Sequence, residues 1–507
     1  MRDEQAEDDN GLAEHRGAVG RESEAGPRLT RRQLLAAGAT TAAAFALASP
    51  TERTVDGVAD LAAPLEAPRG PVFLSRPDLR IPGVTVSAAN GSVAPGLILI
   101  APYNAPHNAQ AGAVIADDSG QLVWEQPLAN LETMDFRVQT YKGEPALTWW
   151  QGYVTLGHGV GHYVIADSSY RTLAVINAGN GRQGDLHEFL LTDRGTALLT
   201  SYLVTNADLR AVGGAMGGSI QDAIFQEIDI ATGKVLLEWH SLDHIPITES
   251  YWPLSSAWDY VHLNSIDVDQ DQNLLVSSRN THTIYKVDRA TGAIIWRLGG
   301  KHNEFAIAPD AVFAWQHDAR RQLDGTITVF DNGDKVSRAI VLDVDESHRR
   351  AALQRAYTHP GNLFSDSQGS VQILPNGNIF VGWGAQPYVS EFAAAGKLVF
   401  DAKLGSGYIS YRAYRMPWTG EGAGMPAVAS RRTKAATNVY VSWNGDTHVA
   451  RWTAFAGTSA AKLLPVGSLP RTGFETGLRI PRKLTHLRIQ GTDQTGKPLA
   501  TTTLIAI

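Results

Sequence analysis

Three histidines stand ten to twelve residues ahead of short apolar runs: His187 before Ala197 to Thr200, His262 before Leu274 to Ser277, and His317 before Ile327 to Phe330. If those runs are equivalent strands of repeated sheets around one axis, the same residue type at the same phase converges. The three imidazoles are then expected within about 10 Å of one another at one mouth of a central channel. A neutral imidazole can attack an electrophilic sulfur or phosphorus, while a second imidazole or a guanidinium steadies the oxygens that gain charge. Arg338 follows Phe330-Asp331-Asn332-Gly333 in the repeat of His317, and its guanidinium fork suits a tetrahedral oxyanion; Asp331 or Asp334 is the competing partner. His240, His244 and Arg279 are second-rank candidates. Asn264, Gln316, Asn332 and Gln372 are candidates for substrate binding. Any one of these histidines taken alone could equally hydrogen-bond its own loop.

Other chemistries find less support. The chain has no cysteine, which removes disulfides, thiolate metal sites and a cysteine nucleophile. None of the histidines has a metalloprotease-like spacing, so no metal and no cofactor is expected. Asp267, Asp269, Asp271 and Asn273 imitate the start of a calcium loop, but Ser278 stands where a bidentate glutamate belongs, and the run reads as a turn. A net charge of -7 with scattered lysines and arginines gives no footprint for nucleic acid.

The elements that would position these residues are strands. In 507 residues, 43% of them apolar, short runs separated by Gly, Asn and Asp replace helical periodicity from Pro71 onward. A turn followed by a strand ending in an aromatic residue recurs at Ser119-Gly120 to Trp124, Thr232-Gly233 to Trp239, Thr291-Gly292 to Trp296 and Ala395-Gly396 to Phe400. The separations are roughly one or two multiples of 50 to 60 residues, the span of a four-stranded blade. The expected fold is all-β: a six-bladed β-propeller over residues 71–425, with the terminal aromatic rings packed between blades. An array of β-sandwiches is the alternative. After the Pro, Gly and Arg-rich stretch 417–432, alternating strands with tryptophans predict a small immunoglobulin or fibronectin-like sandwich over 430–507.

At the N-terminus, Arg31-Arg32 precede an alanine-rich apolar stretch ending in Ala46-Leu47-Ala48. Residues 1–48 read as a twin-arginine signal peptide and 49–70 as a linker. The expectation is export to the periplasm, cell wall or exterior, with no membrane-spanning segment after signal removal.

The motifs Asp185-Leu186-His187-Glu188-Phe189, Phe225-Gln226-Glu227-Ile228-Asp229, His262-Leu263-Asn264-Ser265-Ile266-Asp267, Trp315-Gln316-His317-Asp318-Ala319-Arg320 and Phe330-Asp331-Asn332-Gly333 occur in order. With Phe73 to Asp78, Leu147 to Gly152, and Gly369-Ser370-Val371-Gln372 before Pro375-Asn376-Gly377-Asn378, they resemble the arylsulfotransferase-like proteins of bacteria and fungi over residues 71–425. The resemblance implies a six-bladed propeller that moves a sulfuryl group from a phenolic sulfate ester to another phenol, without a nucleotide donor. It also implies a sulfated histidine helped by other histidines and an arginine. His317 and Arg338 match helper positions, and His187 or His262 another. Where the family's nucleophilic histidine is expected, this sequence has Ser370 and Gln372, with His359 the nearest histidine. Trp149, Trp150 and Trp315 are candidates for stacking a phenolic ring. A secreted, non-catalytic binding propeller is the alternative function.

Overall fold

A strand that is apolar on both faces must be covered on both faces, and the repeated runs meet that requirement by stacking sheet on sheet. The computed structural model describes residues 70–103, 111–128, 130–481 and 483–507. The expected signal over 1–48, and the linker up to residue 69, lie outside the described residues.

The protein is all-β. Six antiparallel sheets follow one another. The first holds Glu132–Tyr141, Glu144–Thr155, His158–Ala166 and Thr172–Ile176; the second Phe189–Leu191, Thr196–Asp208, Met216–Asp229 and Val235–His240. The third holds Leu263–Val268, Leu274–Ser278, Thr283–Val287 and Ile294–Gly299. The fourth runs His317–Arg321, Ile327–Asp331, Arg338–Asp345 and Arg350–Tyr357, with Ala306–Ile307 added outside. The fifth runs Ser370–Ile373, Ile379–Gly382, Tyr388–Phe392 and Leu398–Leu404, with Val84–Ala89 outside. The sixth joins the two ends of the ring: Ile409–Met416 is its first strand, followed by Leu97–Tyr103, Ala111–Ala116 and Leu122–Leu128.

Each apolar core lies between consecutive sheets. Trp150 and Tyr163 of the first sheet meet Phe189 and Leu199 of the second. Phe225 and Trp239 of the second meet Leu263 and Tyr285 of the third. The series continues through Trp296 against Val329, Phe330 against Val371, and Phe400 against Ile98, and Trp124 of the sixth sheet returns to Phe136 and Trp149 of the first. The recurring turn glycines Gly120, Gly233, Gly292 and Gly396 all have φ between 71° and 91°, where a Cβ is disfavoured. The aromatic residue that follows each turn is buried, as the sequence pattern anticipates.

Inside the ring, first strands of different sheets meet through charge. Glu188 accepts from Arg137 at 2.6 Å, from Arg320 at 2.5 Å and from the Ile266 amide at 3.1 Å. Arg412, on the closing strand, reaches Asp135 at 2.8 Å and Glu188 at 3.3 Å. Asp318 holds Arg320 at 2.8 Å and accepts from the Val371 amide at 3.1 Å. Three guanidinium groups and three carboxylates, all nearly or fully buried, thus tie the sheets together.

Two further sheets, Ala427–Arg432 with Ala436–Ser442 and Glu475–Pro481, and Arg451–Ser459 with Lys462–Pro470, His486–Thr492, Pro498–Thr501 and Ile505–Ala506, share one core around Val441, Trp452, Leu478 and Leu487.

Candidate active site

Neighbouring residues fall into two environments here, just before the strand Phe189–Leu191 and on the closing strand Ile409–Met416. Glu188 enters the ionic hub, and His187 beside it does not. Arg412 enters the hub, and Tyr411 beside it lies against the His187 ring at 5.6 Å.

His187 and His262 meet edge to face, their ring centroids 4.6 Å apart. Each is held by its own aspartate. Asp185 Oδ2 lies 2.5 Å from His187 Nδ1 and also accepts from the Thr200 hydroxyl at 3.0 Å, while Oδ1 accepts from the Gly159 amide at 2.7 Å. Asp259 Oδ2 lies 2.5 Å from His262 Nδ1 and Oδ1 accepts from the His262 amide at 3.1 Å. A carboxylate only accepts, so each Nδ1 carries a proton and Nε2 is the nitrogen left open to another partner. Neither Nε2 has a hydrogen-bond partner among the described residues.

His158, at the tip of the hairpin that joins the second and third strands of the first sheet, completes the group. Its ring lies 5.3 Å from His262 and 5.9 Å from His187, and its Nε2 is 3.2 Å from Asp259 Oδ2. Its Nδ1 is buried without a partner. Tyr202 covers it at 4.2 Å and donates its hydroxyl to the Leu263 carbonyl at 2.7 Å.

Electrostatics divide the three histidines. Burial pushes His262 down to about 4, against the pull of Asp259, so its imidazole is neutral at pH 7. Burial also opposes charge on His158, but the contact with Asp259 and the field of Asp185 outweigh it, and its pKa is raised. Burial would raise both aspartates, yet the imidazoles hold Asp185 and Asp259 well below the usual carboxylate range.

The remaining sequence candidates divide as follows. His317 faces the same group, but both its nitrogens are taken: Nδ1 lies 2.8 Å from Asn332 Oδ1, and Nε2 accepts from the Gln368 amide at 3.1 Å. Burial, then the Arg279 charge, push its pKa far down. Arg338 departs from expectation, because all its donors are committed locally, to Asp331 at 2.8 Å and the carbonyls of Asp310 and Val312 at 2.9 and 2.7 Å. The guanidinium beside the histidines is that of Arg279. Its amide donates to the His262 carbonyl at 2.9 Å, its NH2 donates to the Asp366 carbonyl at 2.9 Å, and its Nε is buried with no partner.

His359 lies elsewhere, in the fifth sheet's surroundings. Its Nε2 is 3.2 Å from Asp401, its Nδ1 accepts from the Gly361 amide at 2.9 Å, and Trp383 and Tyr388 pack on its ring. His240 pairs with Asp222 and Glu238, and His244 stacks on Trp239, both apart from the group.

Asn264 donates to the Gln316 carbonyl at 2.8 Å, and Gln316 donates to Ser278 O at 2.9 Å; the side-chain oxygen of each is buried without a partner. Asn332 donates to the carbonyls of Ser365 and Gln368, and Gln372 bridges the Arg415 backbone in both directions, so these two amides serve the fold. Trp149 and Trp150 lie in cores between sheets, not at the site. Asp269 and Asp271 pair with Lys286 at 3.0 and 2.8 Å in a turn.

Sequence reasoning missed His158, Asp185 and Asp259. A usable signal existed in Asp185-Leu186-His187 and Asp259-Tyr260-Val261-His262, where a carboxylate two or three residues ahead of a histidine can turn back onto Nδ1. The groups His158/Asp185/His187 and His158/Asp259/His262 each bring their ligand-type atoms within 4.8 Å of one another. In both groups the carboxylates are engaged by imidazole nitrogens, at 2.5 Å for Asp185 with His187 and for Asp259 with His262.

Residues 137–405 match the arylsulfotransferase (ASST) family. Among curated proteins none matches the chain. Similar solved structures include a protein of unknown function from Bacteroides caccae, at 14% identity and TM-score 0.39 over 63% of this chain and 98% of that one. A Lactobacillus plantarum protein gives 14% and 0.36 over 76% and 99%. Virginiamycin B lyase from Staphylococcus aureus gives 9% and 0.33 over 70% and 94%. Likeness at this level carries no argument about chemistry.

Proposed function

Because the chain belongs to the arylsulfotransferase family, we propose that it moves a sulfuryl group from a phenolic sulfate ester to a phenolic acceptor, without a nucleotide donor, at the His158–His187–His262 centre. The observation that carries this reading is the pair of Asp–His couples whose Nε2 atoms have no partner. His262 Nε2 attacks sulfur, and the sulfur–oxygen bond to the aryl group breaks. The leaving phenolate takes the Nδ1 proton of the His158 imidazolium, whose Nε2 stays on Asp259, and Arg279 holds the sulfuryl oxygens. An acceptor phenol then attacks the same sulfur, returning a proton to His158, and the sulfur–nitrogen bond breaks to release His262 unchanged.

The ring of six sheets with six intervening cores supports the six-bladed propeller over 71–425, and the shared core of the last two sheets supports a separate small sandwich over 430–507. Export through the twin-arginine route rests on Arg31-Arg32 and the apolar stretch that follows. Replacing both arginines by lysine is expected to leave full-length precursor in the cytoplasm; normal secretion of that variant would overturn the signal reading.

The non-catalytic alternative draws on Ser370 and Gln372, which occupy the position expected for a nucleophile and bond only to the closing strand, Ser370 to the Ala413 carbonyl at 2.9 Å. One assay decides: purified protein with a chromogenic aryl sulfate, with and without an added phenol. Colour that requires the phenol supports transfer, colour without it indicates a sulfatase, and no colour favours the binding protein.

A further inference from the structure

Beside the histidine centre lies an aromatic arrangement that the transfer chemistry does not use. Tyr251 and Trp252 sit in the loop before the third sheet, and both rings are substantially exposed, at 42% and 39%. Tyr251 stacks on His282 at 4.1 Å, with 3° between the planes. His282 meets the edge of Trp315 at 4.2 Å, and Trp315 meets Trp252 at 6.0 Å. Four rings are therefore in unbroken contact. Arg279 lies against the two indoles, 5.3 Å from Trp252 and 4.9 Å from Trp315.

Packing alone does not account for this arrangement. Large aromatic side chains normally bury their faces in a core, as Trp149, Trp150 and Trp296 do here. These rings instead come from three loops that share the side of the ring carrying the histidines. Trp315 and His282 hold positive φ angles of 56° and 53°, which is strained backbone for such residues. The cation among them has a buried Nε with no partner, and His282 Nε2 is likewise buried and unpartnered. Arg279 donates to Asn280 and Asp366 through its two terminal nitrogens, so a cation with one unpartnered nitrogen and a histidine with another stand beside two exposed aromatic faces, which suits a ligand that is both anionic and flat.

Resting on the transfer reading, we propose that Tyr251, Trp252, His282 and Trp315 form the platform for the aryl part of the sulfate ester, with Arg279 as its anion anchor, and that the platform selects fused or linked ring systems over a single benzene ring. A one-ring ester covers one indole. A two-ring ester spans the contact between Trp252 and Trp315 while its sulfate stays beside Arg279. One added aromatic contact separates the two classes by about two- to tenfold in affinity.

Binding of aryl sulfonates tests this apart from turnover, because their carbon–sulfur bond gives no transferable group. Titration calorimetry with 2-naphthalenesulfonate and benzenesulfonate should show the two-ring ligand bound about two- to tenfold more tightly by the full protein. W252A should bring the two affinities together, and W252F should keep part of the difference. H262A should retain the full difference, since the platform needs no nucleophile. Equal affinities in the unaltered protein, or a preference that survives W252A in protein of unchanged melting temperature, would overturn the platform. Sulfonate selectivity without any aryl sulfate turnover would refute the transfer reading and leave the platform supported.

Discussion

The ionic hub and the histidine centre are built from adjacent residues and behave oppositely. Glu188 follows His187 and Asp318 follows His317, yet the hub carboxylates have a donor on every oxygen, while two imidazoles of the centre keep an unpartnered Nε2. Both regions are buried, and both join sheets that are distant in sequence. Burial of polar groups alone is therefore no sign of a site in this protein. What separates the two is the state of the acceptors: every hub carboxylate oxygen has a donor, although Nε of Arg137 and of Arg412 is left without a hydrogen bond, while the Nε2 atoms of His187 and His262 have no partner among the described residues. The hub ties the first strands together, and the histidine centre sits beside it.

The largest test of this difference is Glu188→Gln. Removing one charge leaves parts of Arg137, Arg320 and Arg412 uncompensated, and about 3–5 kcal/mol of stability should be lost. Chemical denaturation measures it; a change below about 1 kcal/mol would show that the hub is not what joins the sheets. His262→Ala should do the reverse, lowering kcat by about 10²–10⁴-fold with little change in unfolding free energy. A destabilised but active variant would place His262 with the hub.

The pH profile sharpens the comparison further. The folded protein holds His262 near 4, below its ordinary value, so the unfolded chain takes up this proton first as pH falls. Its contribution to stability is complete above about pH 6.5 and declines as pH drops toward about 4. The same neutrality should keep kcat/KM on a plateau down to an acidic limb near pH 4. The raised His158 should set an alkaline limb above about 6.5. An acidic limb near 6.5 would indicate a solvated nucleophile. The smallest effect belongs to Arg338→Ala, which should leave turnover within about twofold and cost about 1–3 kcal/mol by exposing Asp331 to an unpaired, mostly buried state. A loss of turnover as large as that from Arg279→Ala would reinstate Arg338 at the site.

How much of this was legible depends on the length of the signal. Strand runs and glycine turns are local, and the all-β organisation could be read from them, as could the family. Repeat phase is a real geometric constraint, and the structure does bring the rings of His187 and His262 together. Phase said nothing of His158, which stands on a hairpin tip and comes from a different position of its sheet. Nor could spacing choose between Arg338 and Arg279. Both follow an apolar strand, and a guanidinium reaches far enough that its partner is set by the fold. For Arg338 that partner is Asp331, a possibility the sequence already offered. His359 was drawn in by being nearest to an expected position, but Asp401 and Gly361 occupy both its nitrogens.

The sixth sheet takes one strand from residues 409–416 and three from residues 97–128, which makes folding and competence a single late event. On a ribosome the early strands emerge some three hundred residues before the strand they must pair with, and loop closure of that length is slow compared with local hairpin formation. Until it occurs, Arg412 is missing from the hub and Tyr411 from beside His187. A chain ending before Ile409 would hold all three histidines yet lack Arg412 and Tyr411, so the arrangement around His187 is completed only when the closing strand pairs.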